Sequence, residues 1–136
     1  MTLTYWYSAT RLPPEALSAA RARGFVSDEL VIHELLHLLE PVRLITSELA
    51  TNAILHARTD FTLTLMGLRT KVILEVEDAA EDHVPTRDIP PVTQVMAMAT
   101  GGRGLGIVSH LSQEWGVTTD HRGFKTIWAS FPRQAA

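Results

Sequence analysis

The sequence predicts an α+β fold: a two-layer sandwich with helices on one face of a mixed, mostly antiparallel sheet. Two observations lead there. Segments of period two, read as strands, come in adjacent pairs, and segments of helical period lie between them. The order along the chain is strand, helix, helix, hairpin, long connection, helix, hairpin. Strands gathered in runs argue against the regular alternation of a doubly wound parallel sheet. The 136 residues are 46% apolar and 20% charged, a globular composition. That length suffices for one hydrophobic core without disulfide or metal staples. Residues 1–136 are therefore read as a single domain.

Leu3 to Tyr7 alternates loosely and carries aromatics, so it reads as a short first strand. Pro13 and Pro14 suit the first turn of a helix, where an N–H has no partner to lose. Glu15 to about Phe25 has apolar residues at helical spacing, among them Ala16, Leu17 and Ala20. Gly24 and Ser27-Asp28 weaken its end, and a second helical segment is expected from Asp28 to Leu39. Pro41 reads as the start of the next helix, whose apolar stripe is Val42, Ile45, Leu49, Ala53 and Leu55, to about His56.

Phe61 to Leu68 alternates and reads as a strand, Gly67 to Thr70 as a turn, and Val72 to Val76 as the second strand of a hairpin. Residues 79–100 hold three of the seven prolines, a charge cluster and a Met-containing stretch. So long a connection in a compact domain reads as a lid. Gly101 to Gly106 is a glycine cluster that opens a helix from Leu105 to about Gln113. Trp115 to Thr119 and Lys125 to Phe131 read as closing strands around a turn at Asp120 to Phe124.

Composition removes several function classes. Fifteen acidic and twelve basic residues give a net charge of -3, with no basic stripe, so nucleic acid is not expected as a direct partner. The absence of cysteine excludes a disulfide scaffold, a thiolate zinc site and a cysteine nucleophile. Leu30 to Leu39, the longest apolar stretch, is interrupted by His33, Glu34 and His37 and is far short of the roughly 20 residues a bilayer requires. No signal peptide is evident after Met1, and a cytoplasmic location without a membrane partner is expected.

Four groups of residues have the chemistry of a site. Glu48 and Asn52 are four apart, so they share one helix face. Their oxygens suit a hard cation such as magnesium, and the carboxylate suits a general base; a solvated helix face is the alternative. Asp78 leaves a strand into the lid, where a carboxylate can accept from a ligand's amino group or cap a turn. Gly102-Arg103-Gly104-Leu105-Gly106 precedes an apolar helix, an arrangement that brings backbone N–H groups to an anion. It lacks the Gly-Lys-Ser/Thr of the Walker loop and does not follow a strand. Finally, His33-Glu34-Leu35-Leu36-His37 matches the short zinc-protease pattern, which requires one continuous helix and a third ligand. No such ligand stands out downstream.

Taken together, these segments resemble the GHKL ATPase superfamily with its Bergerat ATP-binding fold, and within it the small bacterial anti-sigma-factor serine/threonine kinases and their actinobacterial relatives. Ser47-Glu48-Leu49-Ala50-Thr51-Asn52-Ala53-Ile54-Leu55-His56-Ala57 is similar to the N box. Val76-Glu77-Asp78 is similar to the first glycine-box aspartate. Gly102-Arg103-Gly104-Leu105-Gly106-Ile107-Val108, followed by Trp115-Gly116-Val117, is similar to the second box, and Lys125-Thr126-Ile127-Trp128 to the closing strand. The resemblance covers nearly the whole chain.

It implies ATP and Mg2+ as cofactors, Asn52 as the metal ligand and Glu48 as the general base. It further implies Asp78 as acceptor for the adenine amino group, a phosphate loop at Gly102, Arg103, Gly104, Leu105 and Gly106, and Thr126 near the adenine. The implied partners are a sigma factor and an antagonist protein whose Ser or Thr is phosphorylated, with a homodimer left open. The alternative is a catalytically silent, ATP-gated protein-binding module. Two departures stand out: Ala79-Ala80-Glu81 follows Asp78 where the family commonly has glycines, and Phe124 separates Gly123 from Lys125-Thr126. A chain of this length leaves no room for a phosphoacceptor histidine domain, so a complete sensor kinase is not expected.

Overall fold

Strand β1 (Trp6–Leu12), helices α1 (Leu17–Ile32) and α2 (Leu39–Asn52), and strands β2 (Phe61–Gly67), β3 (Lys71–Ala79), β4 (Glu114–Thr119) and β5 (Phe124–Pro132) are the main elements among the described residues. They come from a computed structural model that describes residues 5–79 and 112–134. The strands form one five-stranded sheet in the order β1-β2-β3-β5-β4. Every neighbouring pair among the described strands is antiparallel. The expected α+β class is therefore observed, with the described sheet purely antiparallel.

Side-chain alternation gives the sheet one apolar face. Phe61, Leu63 and Leu65 of β2 align with Asp78, Val76 and Leu74 of β3, and these in turn with Lys125, Ile127 and Ala129 of β5. All nine are buried. The helices cover this face. Ala22, Val26 and Leu30 of α1, and Val42, Ile45 and Leu49 of α2, join the strand residues in one core. Each such Val, Leu, Ile or Phe contributes about 1.5–3 kcal/mol when removed from water. The other face carries Tyr7, Met66, Ile73, Glu75, Glu77, Thr126 and Trp128 by the same alternation.

Several boundaries differ from those expected. β1 runs past the expected end at Tyr7 to Leu12, because Ser8, Ala9, Thr10 and Arg11 continue the pairing with β2 despite weak strand composition, while Leu3 and Thr4 of the expected strand lie outside the described residues. Helix α1 runs unbroken through Gly24 and Ser27-Asp28. Gly24 lies on the exposed side, and the Ser27 hydroxyl donates to the Arg23 carbonyl at 2.7 Å, one turn back, so it does not compete for the helix ladder. The separate helix expected over Asp28–Leu39 does not exist. α1 stops at Ile32, Glu34 takes a left-handed conformation at φ 57°, and a short 3-10 turn (Leu36–Leu38) leads into α2. Pro41 falls within the first turn of α2, where its ring displaces no hydrogen bond.

That break overturns the zinc-protease pattern. His33 lies beyond the end of α1 and stacks on Trp6, with ring centroids 3.6 Å apart and planes 5° from parallel. The His37 Nε2 instead lies 3.4 Å from the Pro132 carbonyl. Without a continuous helix the two imidazoles have no common face. Gly67 accommodates the Trp6 end of this stack, since a Cβ there would meet the indole ring.

Of the closing hairpin, Gly123 supplies the turn, with φ 90°, a conformation open to glycine. Asp120 Oδ1 fixes it by accepting from the backbone N–H groups of Arg122 (2.8 Å) and Phe124 (3.2 Å). The expected helix from Leu105 lies mostly outside the described residues. At its expected end Gln113 is not helical, and its N–H donates to the Ser130 carbonyl at 2.8 Å. Among the described residues no helix is long and apolar enough to cross a membrane.

Candidate functional site

The end of α2 and the end of β3 meet by chain connectivity. After Asn52 the helix widens into a single π turn (Ala53–Ala57) that closes on Arg58 in a left-handed conformation at φ 58°. Such local widenings often mark functional positions. The chain then enters β2 at Phe61, the direct cross-strand partner of Asp78. The π turn packs against β3, and the Thr59 hydroxyl donates to the Ala79 carbonyl at 3.5 Å. The N-box segment and the Asp78 end of the sheet thus form one corner of the molecule.

Glu48 and Asn52 lie on consecutive turns of α2. Asn52 is buried, unusual for an amide at a helix end, whereas Glu48 is half-buried. Burial pushes the Glu48 carboxyl above its usual range, because a carboxylate loses hydration there. A partly desolvated carboxylate makes a better base than one in bulk water. The neighbouring Ser47 accepts from Arg23 Nη1 at 3.1 Å, which ties α2 to α1 beside Glu48.

Asp78 is the buried acid of the sheet, 2% exposed. Its Oδ2 lies 3.7 Å from Lys125 Nζ, and its Oδ1 is buried without a hydrogen-bond partner among the described residues. Burial raises the Asp78 pKa. The Lys125 ammonium pulls it back down, and the Glu77 carboxylate adds a smaller upward push. An orphaned buried carboxylate oxygen is costly unless something fills it, on the order of 1–3 kcal/mol or more for a charged group. The chemistry it invites is an N–H donor, and the exocyclic amino group of adenine fits that description.

Thr126 lies on the opposite face of the sheet from Asp78. It pairs across the strands with Glu77, not Asp78, and its hydroxyl donates to Glu77 Oε2 at 3.4 Å on the open face of the sheet. Strand alternation is the reason: the residue of β5 that shares the Asp78 face is Lys125. The inward run Lys125, Ile127, Ala129 carries this placement in the alternation of the strand itself. Gly102, Arg103, Gly104, Leu105 and Gly106 lie outside the described residues, as does the expected lid beyond Ala79. Among the described residues no group of three or more His, Asp or Glu side chains is placed to hold a metal. An amide oxygen such as that of Asn52 can serve as one ligand of magnesium, a cation that commonly keeps waters and substrate phosphates in its other positions.

The family model of the histidine kinase-like ATPase domain matches residues 6–131. A search of the curated proteins finds no match to the chain.

Proposed function

Because the chain belongs to the histidine kinase-like ATPase family, whose domains bind ATP, usually with Mg2+, we propose that it is a regulator of the anti-sigma-factor kinase type. In this reading it phosphorylates a Ser or Thr of an antagonist protein and holds a sigma factor. Bound ATP supplies the phosphoryl group. Asn52, at the end of α2, would hold a magnesium ion, which would supply neutralisation of the phosphate charge. Asp78 accepts from the adenine amino group. Glu48 takes the proton of the attacking hydroxyl as its oxygen bonds to the γ-phosphorus and ADP leaves. Transfer of this kind rests mainly on positioning and charge stabilisation, which these groups and the glycine segment at 102–106 supply.

The observation that carries the reading is the buried Oδ1 of Asp78, without a partner among the described residues, in the corner formed with the N-box segment. Glu48 supports turnover, since a pure binder has no use for a half-buried carboxylate beside Asn52. A second reading, the silent ATP-gated binding module, has one observation in its favour. β3 continues through Ala79, paired with Phe124, where the related kinases commonly have glycine. Incubation with MgATP and candidate antagonist proteins, followed by mass spectrometry for phosphoserine and phosphothreonine, separates the two. Transfer supports the kinase. ATP-dependent partner binding without transfer supports the module.

A further inference from the structure

Lys125 lies in the closing-strand segment of the resemblance, but neither the resemblance nor the proposed chemistry gives it a role. It is only 6% exposed, on the helix-covered face of β5, directly across from Asp78. A lysine is almost never this buried without a partner, and its ammonium lies 3.7 Å from Asp78 Oδ2. The other carboxylate oxygen, Oδ1, is buried and takes no hydrogen bond from the described residues. The two oxygens are therefore divided between two tasks. An ionised carboxylate is acceptor-only, whereas a protonated one carries a donor and has less acceptor capacity.

We propose that Lys125 is a positioning residue for nucleotide recognition: by pairing with Oδ2 it fixes the Asp78 carboxylate and reserves Oδ1 as the acceptor for the purine amino group. This rests on the ATP-binding reading above. The charges around Asp78 support it. Glu77, next along β3, disfavours the ionised carboxylate. The β2 partner, Phe61, carries no charge, and His56 on the π turn is exposed. Lys125 thus stands as the cation that offsets burial and Glu77 together.

The test compares MgATP affinity by calorimetry from about pH 6 to pH 8 for wild type, Lys125→Met and Lys125→Arg, with melting temperatures in parallel. Lys125→Met is expected to weaken MgATP by on the order of 10-fold at neutral pH. Its affinity should recover as pH rises and Asp78 ionises, whereas wild type stays flat and Lys125→Arg stays near wild type. A merely structural lysine would lower the melting temperature and leave the folded protein's affinity and pH profile unchanged; that result overturns the inference. Should Lys125→Met not fold, D78N is compared with D78N/K125M, which carries no buried charge. Equal affinities are expected if Lys125 acts through Asp78, and a further loss in the double variant overturns it. Wild-type protein that binds no MgATP overturns the ATP-binding reading and this inference together. Wild-type binding with an indifferent Lys125→Met overturns the inference alone.

Discussion

Asp78 and Lys125 face each other across β3 and β5 as direct cross-strand partners, both buried, with 3.7 Å between Oδ2 and Nζ. They form the polar end of a row that begins with Phe61 on β2. The rows above it, Leu63-Val76-Ile127 and Leu65-Leu74-Ala129, are wholly apolar. A buried ion pair contributes little net stability against an apolar replacement. The sheet therefore gives up packing at the end that meets the π turn, where the family's ligand chemistry is expected.

Asn52→Ala deletes a buried amide oxygen at the end of α2. The expected result is loss of the magnesium-dependent part of ATP affinity. Calorimetric titrations with and without magnesium, which differ for wild type, should become nearly equal for the variant.

Glu48→Gln keeps the size of the side chain and has nearly the same helix propensity. ATP should still bind, because Asn52 and Asp78 are unchanged. Phosphate transfer to the antagonist is expected to fall by on the order of 10²–10⁴-fold, the usual contribution of a positioned base. Transfer at the wild-type rate, measured by radiolabel or mass spectrometry, would remove Glu48 from the chemistry.

Glu48 also makes a prediction about pH and stability. Its pKa is raised in the folded protein by burial, so the folded state binds its proton more tightly than the unfolded state. The associated stability is fully present below the unfolded carboxyl pKa and is lost as pH rises through the folded one. Chemical denaturation across the acidic range should show Glu48→Gln gaining stability relative to wild type as pH rises through that window. Parallel curves for the two proteins would show that Glu48 is not desolvated.

The hairpins were legible because period-two alternation is a local signal: Phe61, Leu63 and Leu65 point inward as their spacing requires. The continuity of α1 was not legible. Gly24 and Ser27 look like breakers locally, and only the packing of Val26 and Leu30 against the core overrides them. The reverse holds at His33 to His37, where a helical pattern is broken by the Glu34 backbone and the Trp6 stack. Glu48, Asn52 and Asp78 are candidates that residue type and spacing single out, and the fold brings the end of α2 and the end of β3 into one corner. Which of Lys125 and Thr126 joins Asp78 depends on strand register, a tertiary property that motif spacing does not encode.

In the proposed reading the base of the nucleotide is recognised at Asp78. Calorimetric titration of MgATP into wild type and Asp78→Asn, both checked for folding by circular dichroism, tests it most directly. The substitution replaces an acceptor-only carboxylate by an amide that can present a donor to the adenine amino group. The account predicts an affinity loss on the order of 10–100-fold for the variant, the scale of a hydrogen bond to a charged group. Equal affinity in the two folded proteins would contradict it and place the base elsewhere.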